Sequence, residues 1–246
     1  MTVPLAERIL STSGLVKRFN RRTVVNKIDL QVHSGEVVGL LGPNGAGKTT
    51  TFYLVVGFSR PDEGFVFLDG EDISELPMYQ RARKGISYLS QDASVFRKLT
   101  VEENLLAILE TLDYPRHRRL ERAEQLMAEF GITHIARTKG FALSGGERRR
   151  VEIARALVTT PAFILLDEPF AGIDPIAVTD IQGIIMTLKG KGIGILISDH
   201  NVRETLGVCD TAYIMNAGEI LEQGNPRQIS ESKMAREIYL GERFRL

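Results

Sequence analysis

Residues Gly42 to Thr49 read GPNGAGKT, which matches the spacing GxxxxGK[ST], and they follow the apolar run Val37-Val38-Gly39-Leu40-Leu41. Glycines at that spacing let successive backbone N–H groups turn inward around a phosphate. A lysine placed as Lys48 is reaches the β- and γ-phosphates, and a hydroxyl placed as Thr49 is ligates Mg2+. A second group of oxygens follows Phe163-Ile164-Leu165-Leu166, where Asp167 and Glu168 stand side by side. Such a pair divides two tasks, the first carboxylate holding Mg2+ and the second facing an attacking water. Mg2+ keeps several waters and needs only one or two carboxylates beside phosphates, so chelation by both is disfavoured. A third feature is Ser144-Gly145-Gly146-Glu147, with Ser and Glu at capping-box spacing just before Arg148-Arg149-Arg150-Val151-Glu152-Ile153-Ala154-Arg155. That is a helix start whose free N–H groups and positive dipole end attract an anion, and its two glycines let a phosphate approach the backbone. The arginine run is read as solvated or salt-bridged on that helix rather than as a nucleic-acid patch.

These groups need elements to hold them. The run before Gly42 predicts a buried strand, and Thr50-Thr51-Phe52-Tyr53-Leu54 a helix leaving the loop. Phe163–Leu166 and Ile193-Gly194-Ile195-Leu196-Ile197 predict two more buried strands, the first delivering Asp167 and Glu168, the second Asp199 and His200 after Ser198. Between them, Leu105, Ile108, Leu109 and Leu112 repeat at helical spacing after the capping box Thr100-Val101-Glu102-Glu103, as do Leu120, Ala123, Met127 and Phe130. Strands alternating with helices imply a mainly parallel sheet, with ligands beyond the carboxyl ends of its strands. Short apolar groups and polar turns from Ile9 to Val32 predict an antiparallel β region. The internal boundaries fall near Gln91 and Thr160.

With 246 residues, the chain accommodates one large α/β domain carrying an inserted subdomain. Its 31 basic and 31 acidic residues balance, so it has no long-range field to gather nucleic acid or an acidic bilayer. The one cysteine, Cys209, excludes an internal disulfide, fits a reducing compartment and is read as inert core packing. The N-terminal stretch lacks the pattern of a signal peptide, and no apolar run approaches a membrane span, so an intracellular, soluble chain is expected.

GPNGAGKTT, Leu89-Ser90-Gln91, LSGGE, ILLDEP, Gly172-Ile173-Asp174-Pro175 and Asp199-His200 occur in the order seen in ABC-transporter ATPases, and the chain resembles that family over essentially its whole length. The resemblance implies an α/β fold with a P-loop NTPase core, a mainly parallel sheet with flanking helices, an N-terminal antiparallel β subdomain and an inserted α-helical subdomain. Segments 1–90 and 161–246 would form the RecA-like core and 91–160 the signature subdomain. It implies ATP hydrolysis with Mg2+. Gly42, Pro43, Asn44, Gly45, Ala46, Gly47, Lys48, Thr49 and Thr50 would cradle the nucleotide, and Phe19 would stack on adenine, where tyrosine is commoner. Thr49, Asp167 and Gln91 would serve the metal; Glu168 would polarise water, His200 would act as the switch histidine near the γ-phosphate, and Asp174 as the D-loop aspartate. Ser144, Gly145 and Gly146 would complete the site of a second copy, so that each ATP is sandwiched between two subunits and the chain works as a homodimer.

Within that family, the signature helix GERRRVEIAR in place of the common GQRQRV, TTTFYLVVG, EPFAGIDP, DHNVRET and the ending YLGERFRL resemble the ATPases of lipopolysaccharide exporters of Gram-negative bacteria. That likeness implies two membrane subunits above the homodimer, no nucleic-acid partner, and a peripheral position on the cytoplasmic face of the inner membrane, held through partners. Branched-chain amino-acid importers share the DHNVRET-like segment, and soluble ABC ATPases are a further alternative. Among those, ribosome-acting members generally resemble two fused cassettes and DNA-repair members carry long coiled-coil insertions, whereas this chain has one P-loop and no sustained heptads. Phe96, after Ala93-Ser94-Val95, is expected at the docking groove, and Phe244 and Leu246 either on the core or across a dimer.

Overall fold

The computed structural model describes residues 7–241 and Phe244, apart from the side chains of Pro175 and Ile176. Leu246 therefore lies outside the described residues. The N-terminal hairpin, β1 (Ile9–Phe19) and β2 (Arg22–His33), turns through Asn20 and Arg21 with Phe19 opposite Arg22. Inward residues such as Leu10, Ile28, Leu30 and Val32 alternate with outward polar ones, which is what a sheet with one wet face requires. The central strand β3 (Val37–Leu41) has all five residues buried and leads into α1 (Lys48–Val56). β4 (Glu63–Leu68) and β5 (Glu71–Asp72) complete a four-stranded antiparallel sheet ordered β2-β1-β4-β5. These last two strands were not among the expected elements.

After α2 (Met78–Arg83) and β6 (Ile86–Leu89) the chain becomes helical, with α3 (Val101–Leu109), α4 (Arg116–Glu129) and α5 (Gly145–Ala156). The Thr100–Glu103 capping box is formed and starts α3. Leu112 lies beyond the end of that helix, and Leu120 on α4 is exposed. The sheet resumes with β7 (Phe163–Asp167), then α6 (Pro175–Gly190), β8 (Gly194–Ser198), α7 (Val202–Leu206), β9 (Thr211–Asn216), β10 (Glu219–Gly224) and α8 (Pro226–Glu231). The second sheet runs β10-β9-β3-β8-β7-β6, and only its β9–β10 pair is antiparallel. β7 and β8 are buried throughout, like β3, because helices or the other sheet cover both faces.

One apolar cluster joins this sheet to α3, α4, α5 and α6, and a second fills the space between the two sheets around Phe52 of α1. Complete burial of Phe52 contributes roughly 2–3 kcal/mol, so the helix leaving the Gly42–Thr49 loop is fixed by packing as well as by its own hydrogen bonds. A third cluster, around Leu41, Ile214 and Ile229, receives Phe244 and Tyr239 from the C-terminal segment. Phe244 thus packs on its own core. Cys209 sits under Gly39, and burial raises its thiol pKa, which keeps it neutral. Among the described residues, no helix is long and apolar enough to cross a membrane.

Candidate active site

The carboxyl ends of β3, β6, β7 and β8 are neighbours at one edge of the parallel sheet, and they carry Gly42, Gln91, Asp167 and Asp199 respectively. The loop after β3 is shaped by close backbone approach. A Cβ on Gly42 would stand 2.0 Å from the carbonyl oxygen of Met215, so only glycine lets the loop turn against β9 there. Gly47 is the N-cap of α1 in the left-handed conformation and supplies no side-chain cap. The first N–H groups of α1 therefore keep their capacity for an anion. Lys48 is buried, and its ammonium donates to the carbonyls of Gly42 at 2.7 Å and Pro43 at 3.1 Å. Burial lowers its pKa, opposed by the nearby charges of Glu168, Asp167 and Asp199. Asn44, Gly45 and Thr49 are exposed and Thr50 is half-buried, so the mouth of the loop faces outward. Free N–H groups, a lysine coiled within the loop and an outward hydroxyl suit a nucleotide's phosphates.

Asp167 is 1% exposed and held from two sides: Ser198 Oγ donates to it at 2.8 Å and Tyr88 Oη at 3.2 Å. The pairing of Asp167 with Ser198 in the β7–β8 ladder puts the first donor in place. A carboxylate oriented by hydroxyls, with Thr49 on the facing loop, is a hard oxygen donor set of the kind Mg2+ takes beside phosphates. Glu168 has φ 47, in the left-handed region that disfavours a side chain, and its N–H donates to Ser198 O at 2.6 Å. Strain of roughly 1–3 kcal/mol is retained at such positions when the surroundings fix them. Its Oε2 accepts from Gln91 Nε2 at 2.7 Å and lies 3.3 Å from His200 Nδ1. Three of the expected residues, Gln91, Glu168 and His200, therefore meet at one carboxylate oxygen. Gln91 contacts Glu168 and has no hydrogen bond to Asp167.

Asp199 is fully buried and braces the adjoining loops, accepting from Phe170 N at 2.9 Å and Asn201 N at 2.8 Å. Burial raises its pKa against those hydrogen bonds. Phe19, at the tip of β1, is half exposed with Lys17 Nζ 5.7 Å from its ring centre. Asp174 accepts from Ala177 N and starts α6. Sequence reasoning missed Ser198, Tyr88 and Tyr239, whose hydroxyl lies 3.4 Å from the carbonyls of Asp199 and His200.

Ser144 caps α5 and is exposed, with Gly145 and Gly146 half-buried. Its hydroxyl donates to Glu147 Oε2 at 2.7 Å, and its N–H donates to the same oxygen at 2.8 Å. Among the described residues, no hydrogen bond joins residues 42–50 to Ser144, Gly145 or Gly146. The arginine run, read as solvated or salt-bridged, is salt-bridged at two positions and buried at one of them. Arg150 pairs with Asp180, whereas Arg149 is buried, pairs with Glu152 at 3.3 Å and reaches the carbonyls of Ser90 and Asp167. Phe96 is exposed with the Arg155 guanidinium 4.4 Å above its ring. Beside it runs a groove of about 350 Å3 lined by Phe58, Met78, Tyr88, Ile108 and Arg155, which Phe96 itself does not line. A separate cavity of about 330 Å3, walled by Leu126, Leu157, Leu188 and Ile193, includes none of the motif residues.

The family model of the ABC transporter matches residues 25–171. The lipopolysaccharide export system ATP-binding protein LptB of Haemophilus influenzae is 58% identical over 239 residues, covering 97% of this chain and 99% of that protein. The protein of the same name from Escherichia coli K12 is 55% identical over 238 residues, covering 96% and 99%. Among solved structures, the ADP conformation of an ATP-binding cassette of an ABC transporter superposes with a TM-score of 0.86 at 31% identity, covering 96% of this chain and 99% of that one. The loop that frees its N–H groups, the strand-end carboxylates and these matches lead to one assignment: the chain belongs to the ABC transporter family, as an ATP-binding ATPase subunit.

Proposed function

We propose that this chain powers the extraction of lipopolysaccharide from the inner membrane of a Gram-negative bacterium and its export toward the outer membrane. It would act as a homodimer on the cytoplasmic face beneath two membrane subunits. Support for the cargo comes from identity above half, over nearly the full length, with two proteins that carry that name. Support for the chemistry comes chiefly from the convergence of Gln91 and His200 on Glu168 Oε2. Held by that pair at the carboxyl end of β7, the strained carboxylate would orient a water against a terminal phosphate. Mg2+, when bound by Asp167 and Thr49, would supply charge neutralisation of the phosphates. Lys48 would leave the Gly42 and Pro43 carbonyls for phosphate oxygens, and Ser144 and Gly146 of a second copy would donate from the other side.

Segment 91–160 is assigned as the signature subdomain on a core of 1–90 and 161–246. The groove between them, with Phe96 and Arg155 at its side, suits an amphipathic helix from a membrane subunit, since apolar walls meet charged groups there. Replacing Glu168 with Gln preserves size and removes the base. Glu168→Gln should bind ATP, slow phosphate release by about 100-fold or more, and accumulate as a dimer in size-exclusion chromatography. A fully active Glu168→Gln would remove the assignment. Cargo is tested by reconstituting the chain with the membrane subunits that co-purify from its own host and following ATP-driven release of lipopolysaccharide. Stimulation by nucleic acid, or coupling to an amino-acid uptake system, would overturn the reading.

A further inference from the structure

Two pieces of chain form part of the groove assigned to the membrane subunit: the end of α1, with Val56 and then Phe58, and helix α2, with Met78 and Ala82. Joining them is Arg81, which is 1% exposed and among the largest fully buried side chains of the molecule. Among the described residues, its guanidinium has no carboxylate in hydrogen-bonding contact. Instead Nη1 donates to Leu54 O at 2.7 Å and Val55 O at 2.8 Å, Nη2 to Ser74 O at 2.7 Å, and Nε to Leu76 O at 2.8 Å. Leu54 and Val55 lie in the last turn of α1, where carbonyls lack intrahelical donors and the dipole is negative, so a cation is favoured there. Ser74 and Leu76 belong to the connection that enters α2.

Burial pushes the Arg81 pKa down to about 10, with Asp72 and Glu75 opposing, so the group remains charged at neutral pH. The chain leaves room for it: Gly57 ends α1 with φ 85, and a Cβ there would lie 2.9 Å from Arg81 Nε. A buried cation that spends four hydrogen bonds on backbone alone is a costly way to fill space, because an apolar residue would fill it without desolvating a charge. What the guanidinium adds is a rigid fork joining two elements. The far end of α1 begins at Lys48, six to seven residues or about 10 Å from the carbonyls that Arg81 holds, along a stiff helix.

We propose that Arg81 is a positioning residue that locks α2 to α1, so that a helix seated in the groove moves the P-loop and groove as one piece. This rests on the docking reading given above. The simpler role, a staple for the fold, would lower activity in the free chain and in the complex alike. The test uses the complex with its co-purifying membrane subunits and the variants Arg81→Met and Arg81→Lys, the latter keeping charge without the planar fork. Both variants should co-purify at wild-type stoichiometry and hydrolyse ATP as free chains within about twofold of wild type, while stimulation by the membrane subunits falls by about fivefold or more. Wild-type stimulation in Arg81→Met, an equal loss in free and complexed forms, or loss of co-purification would each overturn the proposal.

A measurement on the wild type keeps the test independent of variant folding. Amide hydrogen exchange should slow on assembly in α2 and also along residues 48–56. Slowing confined to α2 would overturn the coupling. Failure of the wild-type chain to capture any membrane subunit would instead bring down the docking reading itself.

Discussion

Two helix starts in this molecule are built to attract anions, and they are finished in opposite ways. The start of α1 has Gly47 as its cap, no side chain taking its N–H groups, and a buried lysine behind it. The start of α5 is closed by its own capping box, with Ser144 and Glu147 exchanging hydrogen bonds at an exposed position. The first is prepared for its ligand before the ligand arrives. At the second, the hydroxyl and N–H of Ser144 already donate to a carboxylate of its own chain, and a phosphate has to compete for them. On the proposed shared site, one chain would hold a strong half-site and a weak one. ATP would bind α1 first, and α5 of another copy would close over it afterwards.

The sharpest way to break that contrast is to disable each half separately. Lys48→Ala should abolish detectable ATP binding by the isolated chain, whereas Ser144→Arg should leave that binding within about threefold and still reduce turnover by about 100-fold. Mixing the two variants gives heterodimers with one site broken twice and one intact. If the sites are shared between copies, the mixture recovers up to roughly half of wild-type phosphate release. No recovery, together with nucleotide binding lost in Ser144→Arg, would mean that α1 and α5 serve a site within one chain.

A smaller effect separates the rigidity of the two halves. Ser198 is fully buried and gives Asp167 its shorter hydroxyl contact. Ser198→Ala leaves a buried carboxylate short of a donor and should cost about 1–3 kcal/mol in urea unfolding. It should also raise the Mg2+ concentration needed for hydrolysis by about tenfold. Ser144→Ala removes a hydroxyl too, but from an exposed cap, so about 1 kcal/mol is expected without a shift in the Mg2+ titration. Equal Mg2+ shifts would erase the distinction.

How much of this was legible in the sequence follows the same division. β3, its loop and α1 could be read because a five-residue apolar run and a glycine-lysine spacing are local signals. The capping boxes at Thr100 and Ser144 are equally local, and both are formed. Strands β4 and β5 escaped notice in part because Phe65 and Phe67 point away from the core that Val66 and Leu68 join, which blurs the polar-apolar alternation. Arg149 reads as one member of a solvated or salt-bridged run, and it does pair along its helix, but it is buried as well. Its burial depends on Glu152 and on carbonyls of Ser90 and Asp167 that only the folded chain brings near. Likewise Gln91 and Glu168 are 77 positions apart, and nothing local indicates that they share a hydrogen bond. Spacing can reveal a loop that binds through its own backbone, but it cannot reveal which side chains a sheet brings into register.

The smallest expected effect bears most directly on why the proposed second half-site would be weak. Hydrogen bonds from the Ser144 hydroxyl and N–H hold the Glu147 carboxyl below its ordinary pKa. Its charge therefore steadies the start of α5 above the ordinary glutamate range, and that contribution disappears as the pH falls through the lowered value. Glu147→Gln keeps an acceptor for the Ser144 N–H but removes the negative charge. At neutral pH the variant should be less stable by about half a kcal/mol, and that gap should close as melting curves are taken down through the lowered Glu147 pKa. The same charge opposes an incoming phosphate, so Glu147→Gln should speed ATP-dependent dimerisation and turnover by roughly twofold while losing stability. A stability gap that persists below the lowered Glu147 pKa would place its origin in packing instead of charge. A slower enzyme would mean that Glu147 assists the anion by holding Ser144 in place, which would make the second half-site as fully prepared as the first.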